Sequence, residues 1–243
     1  MKKKHPNILA LDTSSPVLRV AVKKGRAKAQ EARLEGFLQH AENLLPVTAR
    51  LLRKNKLSTQ DVDVFLIGRG PGSFTGLRIG FATLKGLRVL QKKECYGALS
   101  LDLIADHMPL AGPKGPLVVA MDAYRSKVYA RFFKKYGGRW CPQNEAQALT
   151  LDELIERLPE ECRITGDVCL RYEKQFLDCG KKVHLAKKEL WYPRASSLIY
   201  AYEQRKTSPG KILKRLSSPE DFIPLYHRLS EAEERKSENA AHR

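Results

Sequence analysis

The densest chemical signal in the chain is Gly68-Arg69-Gly70-Pro71-Gly72-Ser73-Phe74-Thr75-Gly76-Leu77-Arg78-Ile79-Gly80. Glycine-rich turns between a strand and a helix expose backbone N–H groups that suit an anion. Yet no Gly-Lys-Ser/Thr follows at phosphate-loop spacing, and no dinucleotide fingerprint can be drawn through these glycines. Two other readings stand beside the anion loop. One is a tight turn that needs small residues; the other is a helix face where Gly76 and Gly80, one turn apart, admit a second helix. Leu77, Phe81, Leu84 and Arg88 mark an adjacent stripe. A second candidate is the turn Asp12-Thr13-Ser14-Ser15, where Asp12, Thr13 and Ser14 could hold a metal-bound phosphate. The alternative is ordinary turn and capping use of Asp12. Its counterpart Asp122-Ala123-Tyr124-Arg125 puts bulky residues where phosphates would need room, and no Gly-rich adenosine loop appears late in the chain.

Metal and nucleophile chemistry find less support. The histidines are His5, His40, His107, His184, His227 and His242, and no two lie three or four apart. There is no H-E-x-x-H, no G-x-S-x-G elbow, and no cysteine with an evident histidine partner. Five cysteines without a C-x-x-C pair argue against a disulfide framework or a zinc ribbon.

The elements that must carry these residues repeat. Asn7 to Asp12 is an apolar run ending in a carboxylate, Leu18 to Val22 a returning strand, and Ala27 to Leu34 a weaker third. His40 to Asn55 has helical periodicity, with Pro46 delaying its start or kinking it. Val62 to Gly68 is a buried strand, Phe74 to about Leu90 a helix, Cys95 to Leu99 a strand, and Ser100 could cap a short helix. The pattern restarts at Leu117 to Asp122, returns over Val128 to Tyr136, and turns at Gly137-Gly138. Thr150 and Glu153 form a capping box for a helix to Leu158. Cys162–Thr165 and Val183–Ala186 read as strands, and Cys169–Leu177 and Arg194–Arg205 as helices. Both halves therefore read strand-strand-strand-helix-strand-helix. This is an internal duplication, with a cleft expected between the halves and the Asp turns facing it. The expected boundaries are 1–108 and 109–226, with 227–243 a polar tail.

Composition bounds the function. The 243 residues carry 44 Lys+Arg against 27 Asp+Glu, a formal charge of +17, with 42% hydrophobic residues. This is globular composition, with no apolar run long enough to span a bilayer and no secretory leader, so a cytoplasmic protein is expected. Residues 1–33 hold nine basic and two acidic side chains, and residues 181–215 hold ten and two. Such a field favours a polyanion, RNA foremost, with Lys181, Lys182, Lys187 and Lys188 as candidate phosphate contacts; solubility is the alternative reason for the charge.

Leu9–Ser15 (LALDTSS), His40–Pro46 (HAENLLP), Gly68–Gly80 (GRGPGSFTGLRIG), Ala120–Tyr129 (AMDAYRSKVY), Tyr192–Ala195 (YPRA) and Ile223–Arg228 (IPLYHR) occur in that order. Together they resemble the TsaB (YeaZ) family, the dimerisation subunits of the bacterial tRNA threonylcarbamoyladenosine complex. The resemblance implies a duplicated actin/Hsp70-like (ASKHA) α/β fold, two βββαβα lobes flanking a cleft. It implies a non-catalytic subunit that self-associates as a homodimer or docks on TsaD, works with TsaE, and meets tRNA through the complex, with no membrane role. ATP would belong to TsaE and metal to TsaD, leaving this chain no cofactor of its own. Carried over residue by residue, the interface would comprise His40, Leu44, Leu45 and Leu52 of the first helix. From the second helix and the Gly-rich turn before it, it would take Gly70, Pro71, Gly72, Ser73, Phe74, Thr75, Gly76, Arg78, Ile79 and Gly80. Many relatives have Ser where this chain has Ala41. The alternative is a catalytic member of the superfamily, an ATP-dependent kinase or a glycoprotease-like metallopeptidase.

Overall fold

The computed structural model describes residues 5–36, 40–89, 93–123, 127–205 and 212–225. The first half runs β1 (Ile8–Asp12), β2 (Val17–Lys23), β3 (Gln30–Glu35), α1 (His40–Lys54), β4 (Val64–Gly68), α2 (Phe74–Val89), β5 (Glu94–Ala98) and α3 (Ser100–Asp106). Strand β2 pairs antiparallel with β1 and β3, while β4 runs parallel to β1 and β5. All five residues of β1 and of β4 are buried because helices cover both faces of the sheet. Leu9, Leu11, Phe65 and Ile67 pack with α1 and α2, whereas Ile8, Ala10, Val64 and Leu66 face the opposite layer. Helix α1 is continuous across Pro46, which lies on its exposed side, so the expected late start or kink is not needed.

The second half runs β6 (Leu117–Asp122), β7 (Lys127–Tyr136), β8 (Arg139–Pro142), β9 (Gln147–Thr150), α4 (Leu151–Arg157), β10 (Glu161–Thr165), α5 (Val168–Arg171), α6 (Glu173–Leu177), β11 (Lys182–Leu185) and α7 (Ala195–Gln204). A short strand, β12 (Leu213–Arg215), follows. The sheet order β11-β10-β6-β7-β8 repeats the order β5-β4-β1-β2-β3 of the first half, so the duplication is real. The third position is divided: β8 pairs with the far end of β7 and β9 with its near end. The Gly137-Gly138 turn, both residues at positive φ, joins β7 to β8. Thr150 and Glu153 form the expected box: the Thr150 hydroxyl accepts from Glu153 N at 3.2 Å, and the Glu153 carboxylate accepts from Thr150 N at 2.7 Å.

Three expectations need correction. The helix expected over Cys169–Leu177 breaks at Tyr172 (φ −124°, ψ 26°) into α5 and α6. Ser100 does not cap α3; Leu99 holds that position, and Ser100 N instead donates to Gly70 O. Most consequential is the crossing of the halves. Helix α3 packs on β6, β7 and β8 of the second sheet, while α7 packs on β1, β2 and β4 of the first. Strand β12 extends the first sheet beyond β5. Contiguous units split after residue 108 therefore do not describe the packing, because each sheet is closed by a helix from the other half. The expected tail, 227–243, lies outside the described residues.

Candidate partner interface

The Asp12–Ser15 turn at the end of β1 is wholly buried. One Asp12 carboxylate oxygen accepts from Ser14 N (3.1 Å) and from the Ser14 hydroxyl (2.8 Å), a local turn closure. What covers the turn is the start of α2. Ser73 N donates to Ser14 O at 2.7 Å, and the Ser73 hydroxyl accepts from Gly76 N at 3.1 Å. A Cβ placed at Gly72 would overlap the Ser14 carbonyl, one at Gly76 the Thr13 carbonyl, and one at Gly80 the Thr13 hydroxyl. A Cβ at Gly68 would overlap the second Asp12 oxygen. The glycine row thus lowers the helix onto the chain's own turn.

Two expectations change as a result. What Gly76 and Gly80 admit is Thr13, its carbonyl at Gly76 and its side chain at Gly80, not a partner helix. Asp12, Thr13 and Ser14 do not fit a metal-bound phosphate, because the helix N-terminus fills the volume it would occupy. Gly70 and Pro71, joined by a cis peptide, are likewise buried.

Helix α1 adds further corrections. His40 is 1% exposed, and its ring nitrogens lie 3.1 Å from Gly36 O and from Ser15 O. It ties the helix start to the turn. Leu44 (1% exposed) and Leu52 (2%) sit in the core with Leu9, Leu11 and Phe65. None of these three can present an outward surface. Their apolar period marks the inner stripe of α1, and inner and outer stripes carry similar residues.

The exposed residues of the two helices include a pair of rows, beside charged ones such as Glu42, Arg50 and Lys85. On α1, Ala41, Leu45 and Ala49 are exposed at four-residue spacing, with Leu45 54% exposed. On α2, Phe74, Arg78, Ala82 and Gly86 do the same, with Phe74 38% exposed. Thr75 is exposed beside them, and Ile79 and Ser73 are half-buried. The Arg78 guanidinium stacks over the Phe74 ring at 4.4 Å. The two helices touch, and each leaves such a row exposed. Small residues around two large apolar ones let another backbone come close. The sequence reading reached Leu45, Phe74, Thr75, Arg78 and Ile79 but missed Ala41, Ala49, Ala82 and Gly86. The four-residue period opposite the buried stripe was the available signal.

Buried charge accompanies this packing. Burial pushes the Asp12 carboxyl up from 3.8 to about 6, against the opposing hydrogen bonds from Ser14. Because the folded pKa is the higher one, the unfolded chain releases its proton first as pH rises. This group's contribution to stability therefore falls between about pH 4 and pH 6, by up to roughly 3 kcal/mol. Asp12→Asn should accordingly gain stability relative to the parent at pH 6.5 compared with pH 4.5, read by chemical denaturation. An identical difference at both pH values would contradict the assignment.

The candidate phosphate-binding lysines do not act together. Lys181 Nζ donates to Ile155 O (3.0 Å), Glu156 O (2.9 Å) and Leu158 O (2.6 Å), so it closes the C-terminal end of α4 and is not available to RNA. Lys182 pairs with Glu161 at 3.2 Å. Lys187 and Lys188 are exposed. Among the described residues no group of three His, Cys, Asp or Glu could hold a metal, and no helix is long and apolar enough to cross a membrane.

Comparison with known proteins adds a family. The family described as TsaD, tRNA N6-adenosine threonylcarbamoyltransferase, matches residues 36–234. The tRNA threonylcarbamoyladenosine biosynthesis protein TsaB of Bacillus subtilis is 27% identical over 233 residues, covering 93% of this chain and 96% of that one. Its counterpart from Buchnera aphidicola subsp. Baizongia pistaciae is 25% identical over 224 residues, covering 90% and 96%. Among solved structures, YeaZ from Pseudomonas aeruginosa superposes with a TM-score of 0.73 at 24% identity, covering 91% of this chain and 99% of that one. This last likeness is one of fold.

Proposed function

The chain belongs to the tRNA N6-adenosine threonylcarbamoyltransferase (TsaD) family, and from that membership we propose that it is a partner-holding, non-catalytic subunit of tRNA threonylcarbamoyladenosine synthesis. Its curated relatives carry the biosynthesis-protein name TsaB, and the role fits them. In this reading the α1–α2 face docks on a TsaD subunit and holds it in its competent conformation. TsaD transfers the threonylcarbamoyl group to the adenosine beside the anticodon of ANN-decoding tRNAs. Without TsaD the same face pairs two copies of this chain. TsaE brings ATP and TsaD brings metal, and the assembly works in the cytoplasm on tRNA.

The observation that carries the reading is the filled turn. In a nucleotide-dependent member of this architecture the first turn must leave room for phosphate. Here Gly72, Gly76 and Gly80 bring α2 onto Asp12–Ser15 until backbone occupies that room. The residues do not fit the group, and no chemical step is routed through them.

Reconstitution tests the proposal. The purified chain alone should form no threonylcarbamoyladenosine on tRNA, as read by nucleoside mass spectrometry. Modification should appear when TsaD, TsaE and the adenylate-making enzyme are added, and drop when this chain is omitted. Turnover by the isolated chain, free of TsaD, would refute it.

A further inference from the structure

Between the two sheets, the β5–β12 edge faces α3 and the β7–β8 hairpin across a cavity of about 480 Å³. Its charged lining among the described residues is Arg69, Arg131, Arg139 and Lys214, with Asp102 the one carboxylate. Neither Asp12 nor Asp122 lines it.

Three of the cations have an anionic neighbour. Arg131 donates to both Asp102 oxygens, at 2.7 and 2.9 Å. Lys214 Nζ lies 2.7 Å from Asp221. Arg139 sits in the field of Asp106. Arg69 differs. Its stem lies across Gly97, where a Cβ would come within 2.5 Å of its Cγ and Cδ. Its backbone is pinned by Ala98 O and Leu225 N. The residue is only 8% exposed, and its Nε is enclosed with no hydrogen-bond partner. The carboxylate that acts on it at a distance is Asp221, already engaged by Lys214 and by the amides of Ser217 and Ser218. An Nε–H buried without an acceptor loses its hydration and recovers nothing in exchange.

We propose that this cavity binds a small molecule bearing a phosphoryl group, with Arg69 as the fork that grips its oxygens. A guanidinium matches a phosphoryl group bidentately, and a lining with four cations to one carboxylate favours a dianion over a monocarboxylate. The volume exceeds what a bare phosphate fills. The lining also offers Tyr136, Pro142 and Leu213 as apolar and aromatic surface for an organic remainder. The site is separate from the α1–α2 face, so its failure would leave the docking reading untouched.

Calorimetric titration with inorganic pyrophosphate and with AMP tests the site on the full chain. Both should bind at one site per chain and raise the melting temperature. Arg69→Met should weaken binding at least tenfold while melting no lower than the parent, because it removes a buried Nε–H that has no acceptor. Arg69→Lys, which keeps the charge but loses the fork, should fall between them, and it carries the test if the Met variant does not fold. Absence of binding at millimolar ligand, or equal binding by the parent and the folded variants, would overturn the proposal. So would Arg69-dependent binding of a short RNA oligonucleotide with no response to pyrophosphate or AMP, which would assign the cations to an RNA backbone.

Discussion

Gly76→Ala is expected to lower the melting temperature by roughly 6–12 °C, although it adds a single methyl group to a helix. On helix propensity alone the change should stabilise by about 1 kcal/mol. Packing decides otherwise. The new Cβ would overlap the carbonyl oxygen of Thr13, a backbone atom in a turn that is fully buried and has no rotamer to yield. Overpacking of this kind costs about 1–3 kcal/mol, and here the strand end itself must shift, so the upper end or beyond applies. About 3 kcal/mol corresponds to that shift for a chain of this size. Gly86→Ala is the internal control. It lies in the same helix, exposed, and a Cβ there meets nothing within 4 Å. It should raise the melting temperature by about 2–4 °C. Thermal melts of both variants check the account. Equal and small shifts would mean that α2 does not rest on the turn.

The contrast shows where sequence reasoning reached and where it stopped. The runs Ile8–Asp12 and Leu117–Asp122 were legible because strands covered on both faces are apolar throughout and end sharply. The capping box at Thr150 was legible because both of its bonds are local. The glycine row of α2 was visible, but its partner was not: a small-residue face looks the same whether its own turn or another protein approaches it. The exchange of α3 and α7 between the sheets left no local trace, since hydrophobic period marks an inner face without naming the sheet it covers. Lys181 looked like one charge among many. Only the fold brings it to the carbonyls of Ile155, Glu156 and Leu158, more than twenty residues away. Arg69 was read as part of a glycine-rich turn, and its burial over Gly97 depends on β5, which arrives later in the chain.

The second large effect concerns association. Among the described residues Leu45 and Phe74 are the large apolar side chains left outside on α1 and α2, with Ala41, Ala49 and Ala82 exposed on the same helices. An aspartate at either position would carry an unpaired charge into any interface formed there, while in the free chain it would stay in water. Loss of a central anchor costs about 2 kcal/mol or more, roughly thirtyfold in affinity. The fold should be nearly indifferent, since exposed substitutions fall within about 0.5 kcal/mol. His40→Ala and Leu44→Ala should behave oppositely, lowering the melt first, because both side chains are internal.

The most direct measurement is therefore the binding isotherm of TsaD with the parent chain and with Leu45→Asp/Phe74→Asp, each checked by its melt. A docking subunit predicts tight binding by the parent and at least a thirtyfold loss in a double variant that melts within about 4 °C of it. Unchanged affinity in the folded double variant would place the partner on another surface and contradict the account.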